Sequence, residues 1–392
     1  MNVLQLVARF NANSDRANLN CNRNPSNTNA RLGITCTLGL IVKTHKNVYE
    51  QLCSWDNLEL AYKKAHRGKA KKLAVEEFDK NFYVNLRQLQ YELEKQIYEP
   101  LPLKRFIVRD PKTRTIHASA FRDRIVHHAL INMLEPIFDK KFIHDSYASR
   151  KNKGTHPAVQ RFELFMRRVS KNGRCIKKKY SNNSIQGYIF KADIKHYFDT
   201  VSHAVLVGII RRKIKDPSII ALIKKILDNF ESPKPGRGMP LGNFTSQFFA
   251  NVYLNELDYF VKHILKATYY IRYVDDFVIL HHRKKLLENY KDRIVRYLTY
   301  LKLEIHPDKS QIIPLCKGIT FLGYRIFYHY KLLRKRNIRS FQRKYKHQLE
   351  LYKEGFLSQA QLIEQLQGWF GYAQWANTYK MRQDILRTIG GG

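Results

Sequence analysis

Two adjacent aspartates, Asp275 and Asp276, interrupt an otherwise apolar and aromatic run from Tyr269 to Leu280. Aromatic and β-branched residues on both sides read as two strands, which puts the carboxylates at a two-residue hairpin turn. Two carboxylates about 4 Å apart repel by roughly 4 kcal/mol at an effective dielectric near 20. A fold that holds them together usually supplies a cation. Aspartate oxygens suit Mg²⁺, which takes one or two carboxylates and completes its shell with substrate phosphates. The chemistry indicated is phosphoryl or nucleotidyl transfer. Asp is also a common turn residue, so the pair by itself describes a polar hairpin tip equally well.

The elements that would position such a pair follow from the surrounding pattern. Gly187 to Asp193 is strand-like and ends on a third carboxylate, Asp193, with a helix beginning near Ser202. A Pro/Gly linker, Pro233 to Gly238, precedes a strongly apolar helix from Phe244 to Val261. After the aspartate hairpin come a helix from Leu286 to Leu301 and a strand with Gly323 and Tyr324. Strand–Asp193, apolar helix and hairpin–Asp275-Asp276 thus occur in order. Three carboxylates on neighbouring antiparallel strands would hold two Mg²⁺ ions, one for an attacking hydroxyl and one for a triphosphate.

Upstream, Leu52, Trp55, Leu58, Leu60, Ala61 and Ala65 predict one amphipathic helix from Val48. A basic segment from Lys63 to Lys72 follows, suited to phosphate or to solvent. Phe106 to Ile116 reads as a hairpin with an Asp-Pro-Lys turn, and a helix from Phe121 to Phe138 carries Pro136 as a stop signal. Ser358 caps a last helix with Leu362, Leu366, Trp369 and Ala373 at helical spacing.

The net charge of +37 over 392 residues is extreme, with 70 Lys and Arg against 33 Asp and Glu. Self-repulsion of that size calls for a polyanion, and nucleic acid is the natural one. A hydrophobic fraction of 44% with 24 Tyr and 22 Phe describes a folded chain, not a basic tail. Five scattered cysteines without C-x-x-C spacing give no zinc site or disulfide framework and fit a reducing cytoplasm. No apolar stretch is long enough to span a membrane. Asparagines crowd residues 11–29, where a loop or disorder is expected.

Tyr273-Val274-Asp275-Asp276 resembles the most diagnostic motif of the reverse transcriptases, and Asp193 with Phe198 five residues on resembles their earlier motif. Within them the chain looks most like the enzymes of diversity-generating retroelements. Their signature segment reads here Leu241-Gly242-Asn243-Phe244-Thr245-Ser246-Gln247. Phe321-Leu322-Gly323-Tyr324 looks like the primer grip, and Lys331-Leu332-Leu333-Arg334-Lys335 and Tyr372 to Ala376 look like the thumb. The likeness runs from about residue 49 to the C-terminus.

What the resemblance implies is an α+β right hand. Fingers would occupy 49–186, a palm with an antiparallel sheet backed by helices 187–329, and a helical thumb 330–392, after a flexible Asn-rich extension at 1–48. Catalytic residues would be Asp193, Asp275 and Asp276, joined by Ile194 as ligands of two Mg²⁺ ions. Arg114, Lys112, Phe198, Leu241 and Lys309 would meet the dNTP: Arg114 and Lys112 at the triphosphate, Phe198 as steric gate, Lys309 at pyrophosphate or merely exposed. Leu241 stands where other classes carry a glutamine, and an aliphatic residue there would lose a polar contact and loosen discrimination. Gly242, Asn243, Ser246, Gln247, Gly323, Tyr324, Lys331, Arg334, Lys335 and Arg336 would meet nucleic acid.

The implied activity is RNA-directed DNA synthesis on a template-repeat RNA with selective misincorporation opposite adenine, serving mutagenic retrohoming in a prokaryotic or phage-encoded, cytoplasmic system. Implied partners are that RNA with its flanking structured RNA, an RNA or cDNA primer, dNTPs and a small basic pentameric accessory protein, with no membrane. Residues 20–31 look like a translated template repeat, because Asn has adenine-rich codons. An Asn-rich leader explains them as well. A reverse transcriptase of another bacterial retroelement or defence class, and a catalytically inactive RNA-binding scaffold, are the competing readings; Leu241 and Gln247 oppose the first, and the intact aspartates the second.

Overall fold

The computed structural model describes residues 44–109, 113–174 and 185–390. The Asn-rich stretch, Lys112 and the terminal Gly391 and Gly392 lie outside the described residues. Every element below belongs to the unit His45–Gly392.

The chain opens with helices α1 (Val48–Cys53) and α2 (Trp55–His66), where the sequence pattern predicts a single helix. Ser54 separates them: its backbone is extended, and its Oγ accepts from the Asn57 amide at 3.3 Å, capping α2. Helices α3 (Leu73–Lys80) and α4 (Phe82–Glu94) follow, then the antiparallel hairpin β1 (Lys104–Val108) and β2 (Arg114–Ala118). Helix α5 (Phe121–Phe138) buries Ile125, Ala129, Leu130 and Leu134 against α2. Pro136, expected as a stop, sits inside its last turn, where it forfeits only one helical hydrogen bond.

Helix α6 (Thr155–Val169) leads to β3 (Tyr188–Asp193), α7 (Tyr197–Thr200), α8 (His203–Arg211), α9 (Pro217–Asp228) and α10 (Phe244–Tyr259), which ends in a π-turn. The aspartate run forms β4 (Tyr269–Tyr273) and β5 (Asp276–His281), followed by α11 (Lys284–Tyr300) and β6 (Gln311–Pro314). The four strands make one antiparallel sheet in the order β4-β5-β3-β6. Alternate residues point to opposite faces. Phe190, Phe277 and Ile279 join the core that includes the N-terminal helices. Ile189, Val278 and Leu280 join a second core with Phe162 and Phe165 of α6. Covered on both faces, the central strands are apolar nearly throughout, which is why Asp275 and Asp276 stand out in sequence.

Strands β7 (Ile319–Phe321), β8 (Tyr324–Ile326) and β9 (Lys331–Leu333) form a small antiparallel sheet. Helices α12 (Lys335–Lys353), α13 (Gln359–Ala373) and α14 (Tyr379–Gly390) complete the chain around Phe341, Leu362, Leu366 and Ile385. Ser358 caps α13 with a reciprocal capping box to Gln361. The architecture is a mixture of helices and antiparallel sheet, as the α+β reading requires.

Candidate active site

Asp193 is the last residue of β3 and Asp276 the first of β5, and the two are direct partners across the sheet. Asp276 also faces Tyr273 across the β4–β5 hairpin, leaving Val274 and Asp275 as the two-residue turn. The ladder therefore brings all three carboxylates to one end of the sheet. Val274 takes φ of 54°, a left-handed conformation that a β-branched residue adopts at a cost of about 1–3 kcal/mol.

What holds that turn is Arg272, completely buried. Its guanidinium donates to both carboxylate oxygens of Asp258, at 2.7 and 2.6 Å. Its Nη1 donates to the Asn251 side-chain oxygen at 3.1 Å and to the Val274 carbonyl at 3.0 Å. Asp258 also accepts from the Tyr270 hydroxyl at 2.7 Å. A buried charge is tolerated only when so fully paired. Sequence reasoning assigned no role to this group. The available signal was a lone cation, Arg272, inside an apolar strand.

The carboxylates repel one another. Burial, then Asp276 and Asp193, push the Asp275 carboxyl up to about 6. Lys309 answers with an ion pair to Asp193 at 3.0 Å. The Asp193 backbone is fixed on both sides: its carbonyl accepts from the His306 amide at 2.7 Å, and its amide donates to Ser310 Oγ at 3.4 Å. Lys191, two residues back on the same face, donates to the Thr320 carbonyl at 2.8 Å; burial pushes its amine down while Asp276 opposes that shift. Lys191 and Ser310 are further site neighbours that sequence reasoning did not single out.

Among the described residues no three His, Cys, Asp or Glu side chains stand assembled as a metal cluster. Mg²⁺ does not require one, because it completes its shell with waters and substrate phosphates. All-oxygen donors that repel each other in the metal-free protein fit that ion, and Ile194, buried beside Asp193, offers a backbone carbonyl.

The remaining expected residues are distributed unevenly. Phe198 lies on α7, half-buried against the core, with its carbonyl accepting from Met239 at 2.7 Å. Arg114 opens β2, exposed; Lys112 lies outside the described residues. The Leu241 carbonyl accepts from the His117 amide at 3.0 Å, and the Asn243 side chain accepts from the Ser119 amide at 3.3 Å. Gly242 has φ of 110°, and a Cβ there would lie 2.7 Å from Ile116 Cγ2. This segment therefore clasps the base of the β1–β2 hairpin. Ser246 is buried, while Gln247 is exposed and accepts from Ser149 at 3.1 Å.

Gly323 turns between β7 and β8 with φ of 92°. Tyr324 is buried and donates to the Tyr372 carbonyl at 3.0 Å, so its side chain packs the base of the C-terminal helices. Lys331 pairs with Glu163 at 2.7 Å. Arg334, Lys335 and Arg336 are exposed, and Arg336 lines a groove of about 800 Å³ with Arg109, Arg343, Phe341 and Trp369.

Carboxylates paired across an antiparallel sheet, with a lysine on one of them, have the chemistry that nucleotidyl transfer needs. Residues 108–326 match the family described as reverse transcriptase (RNA-dependent DNA polymerase). The chain belongs to that family and is an RNA-directed DNA polymerase. Protein YkfC of Escherichia coli (strain K12) is 28% identical over 295 residues, 65% of this chain and 72% of that protein. The group II intron-encoded protein LtrA of Lactococcus lactis subsp. cremoris is 28% identical over 184 residues, 45% of this chain but only 28% of that protein. Apo telomerase from Candida tropicalis, truncated from its C-terminal domain, overlays with a TM-score of 0.42 at 14% identity, over 64% of this chain and 60% of that one. Among the described residues no helix is long and apolar enough to cross a membrane.

Proposed function

We propose that this polymerase is the reverse transcriptase of a diversity-generating retroelement, copying a template-repeat RNA into cDNA with selective misincorporation opposite adenine. The observation that carries nucleotidyl transfer is the register that sets Asp193 against Asp276, with Asp275 in the tethered turn just before Asp276. The subtype rests on the Leu241-to-Gln247 segment and its resemblance. Leu241 presents an aliphatic side chain where a polar one would discriminate between base pairs.

In this reading Asp193, Asp275, Asp276 and the Ile194 carbonyl would hold two Mg²⁺ ions, which would supply charge neutralisation at the phosphates and a more acidic primer hydroxyl. Phe198 excludes the ribose 2′-hydroxyl. Arg114 and Lys112 clamp the triphosphate from the hairpin. Lys309, whose pair with Asp193 is half-exposed, holds a proton near the leaving pyrophosphate. Helices α1 to α6 with the β1–β2 hairpin serve as fingers, the four-stranded sheet as palm, and α12 to α14 as thumb. The groove beside Arg336 takes the primer–template duplex. Gly323, Asn243, Ser246 and Tyr324 shape the strand path through backbone and packing. Template-repeat RNA with flanking structured RNA, an RNA or cDNA primer and a small basic pentameric accessory protein complete the system, in a prokaryotic or phage-infected cytoplasm.

The test is primer extension on a defined RNA with Mg²⁺ and dNTPs, followed by cDNA sequencing. Errors concentrated opposite template adenines are expected. Faithful cDNA would move the enzyme to another reverse-transcriptase class.

A further inference from the structure

Phe321 pairs with Tyr324 across β7 and β8, which leaves Leu322 and Gly323 as a two-residue turn. Both take positive φ, 46° at Leu322 and 92° at Gly323. Hairpin turns of that kind favour Asn-Gly or Gly-Gly at their centre. A leucine held in the left-handed region is strained, and strain persists only where the surroundings impose it. Here they do so from two directions. Strand β7 is tied to the catalytic strand, since Lys191 donates to the Thr320 carbonyl at 2.8 Å. The Gly323 carbonyl accepts from the Tyr372 hydroxyl at 2.8 Å and from the Arg334 amide at 3.3 Å. Tyr372 lies in the last turn of α13 and Arg334 directly before α12, so both holds come from the C-terminal helices.

The hydroxyl is itself aimed. Asn337, in the first turn of α12, donates its side-chain amide to the Tyr372 oxygen at 2.8 Å. A phenol has one proton, so an oxygen that accepts from Asn337 keeps that proton for Gly323. Burial raises the Tyr372 hydroxyl above its ordinary value, and the proton stays on it. The fit is close: a Cβ at Gly323 would stand 2.8 Å from the Tyr372 oxygen. Asn337 also lines the groove beside Arg336 and Arg343. We infer that Tyr372 is a positioning residue of the polymerase: its hydroxyl, aimed by Asn337, sets the Leu322–Gly323 turn and so registers the primer end against Asp193. The inference rests on the reading of that turn as part of the strand path. Helix α12, which faces the duplex groove, thereby fixes the turn as well.

The test is addition of one nucleotide to a DNA primer on an RNA template with saturating Mg²⁺, using the full chain. Tyr372→Phe removes only the hydroxyl. Displacing a reacting group by about 1 Å costs about a hundredfold, and a loosened turn should cost less, about tenfold in kcat. KM for the dNTP and Kd for the duplex, read by fluorescence anisotropy, should stay within about twofold of wild type. Thr378→Val is the comparison. It removes another buried hydroxyl bond at the same end of α13, from Thr378 to the Ala373 carbonyl at 2.7 Å, without touching the turn. It should lower the urea midpoint about as much as Tyr372→Phe does and keep wild-type kcat. Wild-type kcat in Tyr372→Phe, or an equal loss of kcat in Thr378→Val, would overturn the positioning role. So would duplex affinity that falls in step with kcat, which marks loosened helix packing alone. A primer with a photoreactive thiolated thymidine at its 3′ end tests the underlying reading separately. A wild-type crosslink within β7 to β9 supports it. A crosslink only elsewhere would overturn that reading, and this inference with it.

Discussion

Arg272 is predicted to do two separable things, and a double-mutant cycle separates them. In Arg272→Met the Asp258 carboxylate stays buried with only the Tyr270 hydroxyl for company. Breaking a buried pair from one side costs about 3–5 kcal/mol. In Arg272→Met/Asp258→Leu no uncompensated charge remains, and an apolar replacement of a buried pair is often close to neutral. The Asn251 oxygen loses its partner in both variants, and the Tyr270 hydroxyl only in the double one, at about 1–3 kcal/mol apiece where no water reaches them. The double variant should therefore be more stable than Arg272→Met by about 2 kcal/mol, read from urea melts of the Mg²⁺-free protein. Activity should not follow stability. The tether to the Val274 carbonyl is absent in both variants, and the turn at φ of 54° carries Asp275. Displacing a reacting group by about 1 Å costs on the order of a hundredfold. Primer extension should fall by that order in kcat for both variants, with RNA affinity little changed. A double variant that regains wild-type kcat along with its stability would refute the positioning role and leave Arg272 as packing alone.

Asp275→Asn should abolish cDNA synthesis, a loss on the order of a thousandfold or more, while RNA affinity measured by filter binding stays near wild type; equal loss of both would contradict the assignment. The Asp275 carboxyl sits near 6 when folded, above its ordinary value of 3.8, so its protonated form stabilises the metal-free protein at low pH and that contribution, about 3 kcal/mol, is lost as pH rises through 6. Mg²⁺ should accordingly raise the melting temperature more at pH 7.5 than at pH 5, and equal shifts at both would exclude titration of this carboxyl. Gly242→Ala should lower stability by about 1–3 kcal/mol, because its Cβ would press on Ile116; a melt matching wild type would show that the hairpin base yields freely.

Much of the site was legible because it violates the local pattern. A carboxylate pair inside an aromatic and β-branched run pointed to a hairpin, and β4 and β5 form it, but the turn falls one residue earlier, on Val274 and Asp275, with Asp276 opening β5. The Asp193 strand was legible for the same reason. Long-range partners were not. Arg272 and Asp258 lie on a strand and on a helix, and only the fold shows that they meet. The Leu241-Gly242-Asn243 segment identified a place in the chain, yet its grip on His117 and Ser119 needed the hairpin's docking to be seen. The expected contacts of Tyr324 and Lys331 with nucleic acid came from motif likeness. The fold turns Tyr324 into the protein and pairs Lys331 with Glu163, interactions that no spacing announces. Helix α9 passed unread although Asp216 caps it with Pro217 at its first position and Ile219, Ile220, Leu222, Ile223, Ile226 and Leu227 recur on one face.

The electrostatics of the site explain how a chain of +37 keeps three carboxylates together. Fixed cations would neutralise the aspartates permanently if they were buried pairs like Arg272 with Asp258. They are not. Lys309 is half-exposed where it meets Asp193, and ion pairs so exposed are worth only about 0–1 kcal/mol. Lys191 donates to the Thr320 carbonyl, and the charges of Asp276 and Asp193 hold its amine up against the effect of burial. The protein therefore commits its fully enclosed charge pair to the backbone of the turn, while the lysine paired with Asp193 is half-exposed. Geometry is fixed while charge stays available. Exchanging these strengths, with a rigid cation on Asp193 and a loose tether at Val274, would give a more stable sheet end that could no longer accept phosphate and its counterions.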